Sequence, residues 1–462
     1  MKVALLGLPL AGVRLDPFGM IPAMPTALPA LAAWLRRRGE EVQVVDGFGE
    51  RPGRRFSPAP GLVARGLTPS ELADRVDPMV DLVALSVHSV AGDTVAIETV
   101  RHLGRRTAAP IVVGGAHPSV LPERFLEAGA RWVVRGEGEP GLDAIIEGSA
   151  GDGVVEAAPL ADLDLLPDPD YGVLPLRSYW ELGLGHGPVS GAHLTVSTSR
   201  GCSHGCRFCA TPSLGLGRWR GMGAERVVEM VSSLVGRHQV TDIHVEDDDF
   251  AADRDRVLAI CEGLKERGLR VRIALPSGVR SEPLDAQVLA ALASAGCRYI
   301  ALAPETGSPR LLRAMGKHID LEHVVSVAAT ALRLGIRVGC FFVLGFPSET
   351  GAERAATADL VERLVRLGVD DVSVFVWSPL PGAAASDLER GSERLEQLCW
   401  SPRWRAMYFR YEGARVGIYL RALGTMLRER PSALLESARR IVEGRFETKG
   451  EMTVRRMLGW RG

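Results

Sequence analysis

Apolar and polar positions alternate in blocks along the first 150 residues. Val3–Leu6 is a short apolar run. Leu28–Arg38 repeats apolar residues at helical spacing and stops at Gly39, a residue suited to a C-cap. Val42–Val45 reads as a strand ending at Asp46, and Leu82–Val87 is an unbroken apolar run of the kind a buried parallel strand shows. Thr94–Arg106 has a helical pattern. Ile111–Val113 and Trp132–Val134 read as strands that run into Gly114-Gly115 and Gly136-Glu137-Gly138-Glu139. Alternating strands and helices predict an open, doubly wound parallel α/β sheet over residues 1–150. Ligands of such sheets bind beyond the carboxyl ends of the strands, where these glycine turns fall.

Residues 151–190 are rich in Pro, Asp and Gly and have weak periodicity, which reads as a linker. A second strand–helix series then begins. Its candidate strands are Leu194–Ser197, Asp242–Glu246, Arg270–Leu275, Tyr299–Leu302, Arg337–Val343 and Asp371–Phe375. Helical patterns at Glu225–His238, Arg254–Arg267, Asp285–Ala295 and Gly351–Leu367 separate them. Six β/α units between 191 and 385 suit a partial (β/α)6 barrel better than a full eight-unit one. Residues 386–462 read as a mainly helical, Arg-rich region.

Charge and composition narrow the function classes. Lys and Arg number 55 against 56 Asp and Glu, so bulk charge excludes a strongly basic nucleic-acid binder. No run approaches the roughly 20 apolar residues of a membrane span. Met1–Gly7 reads as a strand and lacks the features of a signal peptide, so a cytoplasmic protein is expected. The seven cysteines make an odd count, which argues against a disulfide framework.

Three of those cysteines crowd behind the first strand of the second series. Cys202, Cys206 and Cys209 have C-x3-C-x2-C spacing, with Phe208 before the last. Three thiolates can ligate three irons of a [4Fe–4S] cluster and leave the fourth open to a substrate. Zinc is the alternative, with His204 as a candidate fourth ligand. The cysteine motif resembles the signature of the radical S-adenosylmethionine (SAM) superfamily. The resemblance extends to Glu246-Asp247-Asp248-Asp249-Phe250, Ala303–Ser308, Phe342–Thr350 and Ser378–Gly382, each at a strand's carboxyl end. In the third of these, Ser348 stands where the family usually has Gly. The resemblance implies a [4Fe–4S] cluster on the three cysteines as the catalytic metal centre. It further implies SAM contacts from Phe208, Asp248, Glu305, Gly345 and Pro381. Glu305 alone could instead be an acid at the start of the following helix.

A doubly wound domain ahead of such a core resembles the cobalamin (B12)-binding members of the superfamily. Asp81–Ser89, Val112–Ser119 and Trp132–Glu139 carry this resemblance. It implies cobalamin contacts from Ser86, His88, Ser89, Gly114, Gly115, His117, Gly136, Glu137 and Gly138. Glycine lets the backbone approach a large planar ligand without a Cβ clash. The D-x-H-x-x-G motif that supplies a lower axial His to cobalt is absent after the first strand. His88 is the candidate to lie near that face, with an ordinary hydrogen-bonded side chain as the alternative. His117 could equally be structural. A Rossmann-type nucleotide domain is the other reading, but it would want G-x-G-x-x-G after the first strand.

The fold expected is therefore α/β throughout its first two parts. A Rossmann-like cobalamin-binding domain spans 1–150, a linker 151–190, a radical SAM core 191–385 and a helical substrate-side region 386–462. The resemblance implies a methyltransferase that acts on an unactivated sp3 carbon of a small molecule, by way of methylcobalamin and a 5′-deoxyadenosyl radical. A ring contraction, cyclisation or rearrangement with the same cofactors is the second reading, and a zinc or redox-sensing binding protein the third. An external electron donor of flavodoxin or ferredoxin type is implied. Cys261, Cys297 and Cys340 read as core residues and Cys399 as a surface or core thiol. The aromatic, basic stretch Trp400–Tyr419 reads as a helix packed on the barrel or as a lid over the substrate pocket.

Overall fold

The computed structural model describes residues 1–13, 20–214, 217–369, 371–388 and 402–459. Cys399 and Trp400 lie outside them, as do the side chains of Arg403, Trp404 and Arg405. The first sheet has six parallel strands: β1 (Lys2–Gly7), β2 (Glu41–Asp46), β3 (Leu82–Ser86), β4 (Ile111–Gly114), β5 (Trp132–Gly136) and β6 (Gly153–Ala157). Their order is β2-β1-β3-β4-β5-β6. Alternation along each strand divides its side chains between two cores. Val3, Leu5, Leu82, Ala84, Val112 and Val134 face one layer of helices. Ala4, Leu6, Val83, Leu85, Val113 and Val133 face the other. This is the doubly wound sheet the sequence predicts.

The second sheet also has six parallel strands, paired in chain order: β7 (His193–Val196), β8 (Asp242–Val245), β9 (Arg272–Val279), β10 (Cys297–Glu305), β11 (Arg337–Leu344) and β12 (Asp371–Val376). Among the described residues β12 does not pair with β7, so the barrel is partial. Side-chain caps start several of its helices: Asp253, Asp285, Ser308 and Asp320 each accept from a backbone N–H of the first turn. Thr350 and Glu353 form a reciprocal capping box at the head of Gly351–Leu367. Three helices, Pro402–Glu429, Pro431–Val442 and Lys449–Gly459, make up the C-terminal region. No helix of the described residues is long and apolar enough to cross a membrane.

Two features depart from the sequence reading. The expected linker begins too early, because Gly153–Ala157 is the edge strand β6 of the first sheet. It is half-exposed and holds only two valines, so its pattern is too weak to stand out from a polar stretch. The remainder is not a loose tether. Tyr179 donates to buried Asp46 of the first domain at 2.7 Å, and Tyr171 donates to the Thr195 carbonyl of β7. A small antiparallel sheet of Leu10–Val13, Leu62–Arg65 and Arg55–Phe56 was not legible either; two of its strands have four residues and the third has two.

Candidate active site

Beyond β7 the chain forms a short antiparallel ribbon, Ser199–Arg200 against Arg220–Gly221. The loop between its strands carries Cys202, Cys206 and Cys209, all half-buried. The Cys209 amide donates to the Cys206 carbonyl at 3.1 Å. The acidic turn after β8 fastens the loop's base. Asp247 accepts from the Thr198 amide and hydroxyl, each at 2.6 Å, and from the Ser199 hydroxyl at 2.8 Å. Asp248 accepts from the Gly201 amide at 3.1 Å. Burial pushes the Cys202 thiol up to about 11 and raises Cys206 as well. A metal bound here must displace those protons.

The strand-end segments of β10, β11 and β12 surround this loop. Phe208 packs with Leu311, Met315, Phe346, Trp377 and Ala385, which seats the loop on all three segments. The Arg207 amide donates to the Met315 carbonyl, and its carbonyl accepts from Ala385. Glu305 ends β10 with φ +61 and accepts from Lys317 Nζ at 2.7 Å; both side chains are buried. Ser308, not Glu305, caps the following helix. Gly345 has φ +78 and its amide donates to Glu349; a Cβ there would stand 2.8 Å from the Tyr411 ring. Pro381 is buried beside Gly382, whose Cβ would meet Ser213 Oγ of the cysteine loop at 2.3 Å.

Ser348 adopts φ +74 and is exposed. A left-handed backbone costs a non-glycine residue roughly 1–2 kcal/mol. Glycine relieves that cost but adds entropy to the unfolded chain. Ser348→Gly is expected to be neutral or to stabilise by up to about 1 kcal/mol, whereas Ser348→Val should destabilise, because a β-branched residue fits this region worst. Denaturant midpoints of the two variants check the order, and a more stable valine variant would contradict it.

A cleft joins the two domains. Its cavity volume is about 330 Å³. Pockets for drug-sized ligands hold roughly 300–1,000 Å³. One wall is the carboxyl end of the first sheet, with Ser86, Gly114, Gly115, Gly136 and Gly138. The opposite wall is Ser197, Ser199, Arg200, Glu246 and Asp248 at the mouth of the barrel. Beneath the glycine turns an apolar slot runs between the sheet and helices Ala27–Arg37 and Gly138–Ile146, lined by Leu28, Leu31, Ala84, Val112, Val134 and Leu142. Gly115 has φ +114, and a Cβ there would stand 2.5 Å from the Val87 carbonyl oxygen, so the turn requires glycine. A flat group with an aromatic tail suits such a slot, and the glycine backbones leave room for a planar ring.

Three of the expected cofactor contacts, His88, Ser89 and His117, do not line the cleft. His88 and Ser89 are exposed and do not line the cleft. His117 is buried and turned to Asp93, with Nε2 2.8 Å from Oδ1. Asp93 also accepts from Arg124; burial alone would raise its pKa, and these two partners hold it below the usual carboxylate range. His117 therefore pins its short helix to the neighbouring one, the structural role the sequence left open. Glu137 lines the cleft, but its carboxylate is engaged by Arg200 at 2.9 Å and Arg220 at 2.5 Å. Burial would raise its pKa; the two guanidinium groups reverse that.

One polar group at the barrel mouth escaped the sequence reading. Glu246 Oε2 accepts from His186 Nδ1 at 2.5 Å and from the Ser277 hydroxyl. Oε1 is buried without a hydrogen-bond partner among the described residues. Burial would raise this carboxyl, but His186 and Ser277 hold it down to about 2. Its position before Asp247 and Asp248 was visible, but its partners come from the linker and the next strand.

Comparison with known proteins agrees with this architecture. The B12 binding domain family matches residues 23–146 and the radical SAM superfamily residues 196–361. An uncharacterised methyltransferase of Pyrococcus horikoshii is 30% identical over 311 residues, 63% of this chain and 65% of that protein. Cytidylyl-2-hydroxyethylphosphonate methyltransferase of Streptomyces wedmorensis is 28% identical over 231 residues, 48% of this chain and 42% of that protein. The chain thus spans less than two thirds of either relative. Among solved structures, the radical SAM methyltransferase TsrM of Kitasatospora setae, with cobalamin and a [4Fe–4S] cluster bound, has the same fold. Its TM-score is 0.65 at 19% identity, covering 83% of this chain and 74% of that one. The chain thus carries a B12-binding domain set ahead of a radical SAM domain.

Proposed function

We propose that this protein is a cobalamin-dependent radical SAM methyltransferase acting on a small molecule. The observation that carries the reading is the shared cleft, which sets the glycine turns of the first domain against the barrel mouth beside the cysteine loop. Cys202, Cys206 and Cys209 would hold a [4Fe–4S] cluster, and the cleft and its apolar slot would hold cobalamin. When bound, these groups supply radical generation from SAM and methyl transfer to an unactivated carbon. The chain's own residues bind, orient and exclude water. Glu305, paired with Lys317, and Gly345 and Pro381 would shape the SAM site around the loop. Glu246 offers an anionic acceptor to an N–H or O–H of the substrate. Burial of Cys261, Cys297 and Cys340 as free thiols suits the reducing cytoplasm, where a flavodoxin- or ferredoxin-type protein would supply electrons.

Anaerobic turnover with SAM, a reductant and candidate substrates tests this. Deoxyadenosine and S-adenosylhomocysteine should form together, with a product heavier by one methylene. Deoxyadenosine alone, with an isomeric product, would replace methyl transfer by a rearrangement.

One observation favours a zinc site as the second reading. Ligand atoms of Cys202, His204 and Asp249 all lie within 4.8 Å of one another. That trio leaves out Cys206 and Cys209, whereas a cluster uses all three thiolates and no imidazole. His204→Ala should therefore retain iron and sulfide after reconstitution. Loss of metal in His204→Ala, with Cys206→Ala unaffected, would establish zinc instead.

A further inference from the structure

The ribbon that brackets the cysteine loop carries an electrostatic problem. Arg200 and Arg220 are direct cross-strand partners. Like charges in that position destabilise a strand pair. The first domain supplies the counter-charge. Glu137 Oε2 accepts from Arg200 Nη1 at 2.9 Å, and its Oε1 accepts from Arg220 Nη2 at 2.5 Å. Glu139 grips Arg200 a second time, at 2.6 and 3.1 Å. The carboxylates are nearly sealed, with Glu137 5% and Glu139 4% exposed, and Arg220 is only 12% exposed. The Leu160 amide closes the group by donating to Glu137 at 3.1 Å. Forked guanidinium–carboxylate pairs fix direction as well as distance. A buried pair of this kind costs desolvation, so its contribution is specificity of arrangement rather than stability.

We propose that Glu137, Glu139, Arg200 and Arg220 form an interdomain clasp that positions the cysteine loop against the cobalamin-binding wall of the cleft. They are positioning residues: Glu137 stands in the turn after β5, Glu139 in the first turn of helix Gly138–Ile146, and Arg200 lies two residues before Cys202. With both cofactors bound, the clasp would set the spacing between the cysteine loop and the glycine turns that hold them. The inference rests on the cofactor assignment above only for that last consequence.

Glu139→Gln keeps the shape and removes one charge; Arg220→Gln opens the other end. Two measurements on the full chain decide. Backbone hydrogen exchange without cofactors should quicken at least about tenfold at 199–201 and 220–221 in both variants, while β8–β11 exchange as in the parent. Pulsed dipolar spectroscopy between cob(II)alamin and the reduced cluster should show a broadened distance distribution at unchanged iron and cobalamin content. Unchanged exchange and an unchanged distance in both single variants would overturn the clasp. Loss of cobalamin alone in Glu139→Gln, with exchange unaltered, would also overturn it and make the glutamate a cofactor contact. If the parent binds no cobalamin, the functional reading fails, and the exchange measurement still judges the clasp.

Discussion

Replacing any one of Cys202, Cys206 and Cys209 with alanine is expected to leave a folded chain that retains cobalamin, loses its cluster iron and makes no deoxyadenosine. The three side chains share one loop, and none is a core residue, since all are half-buried. The loop is seated by other contacts: Phe208 in its apolar cluster, Asp247 on Thr198 and Ser199, and Asp248 on Gly201. Removing one sulfur thus leaves the frame intact and subtracts a metal ligand. Each thiolate would hold a separate iron, so two cannot replace three. Deoxyadenosine formation should fall by at least about 1,000-fold, or roughly 4 kcal/mol. Iron and sulfide analysis beside far-ultraviolet circular dichroism checks the claim. A folded alanine variant that still cleaves SAM would refute a cysteine-held cluster.

The second large effect lies in the other domain. Gly114→Leu should abolish methyl transfer while sparing the cluster and substrate-free deoxyadenosine formation. Gly114 ends β4 and faces the cleft. A Cβ there would meet only Val134 Cβ, at an ordinary 3.7 Å. Gly114→Ala is therefore the matched control and should bind cobalamin nearly as the parent does. The larger leucine would project into the cleft. Its cobalamin Kd is expected to rise at least about 100-fold, close to 2.7 kcal/mol. Equilibrium binding of aquacobalamin to the three chains gives the comparison. Equal affinities in all three would place the corrin elsewhere.

The sequence announced some of this and hid the rest for physical reasons. Strands β1, β3 and β4 were legible because buried parallel strands read as apolar runs. The edge strand β6 was not, because one of its faces meets water. The cysteine loop was legible because its ligands fall within eight residues and their chemistry is local. Glu137 was visible as part of a glycine turn, but its partner was not: Arg200 lies 63 positions further on, and nothing in either segment names the other. The same holds for Glu246, whose partner His186 comes from the linker 60 positions earlier. His88 drew attention as a lone imidazole after a strand, yet residue type alone could not show that it is exposed and lines no part of the cleft. His117, on a short helix, is held by Asp93 from a preceding helix. Local motifs therefore identified the chemistry, while the long-range ion pairs that fix its geometry became visible only in the fold.

The most direct test of the account is a cofactor count on one anaerobically reconstituted sample of the full chain, with iron, sulfide, zinc and cobalamin measured together. The expected result is a brown protein with one [4Fe–4S] cluster and one cobalamin per chain. A colourless zinc protein, or a chain with its cluster intact and no affinity for cobalamin, would contradict it.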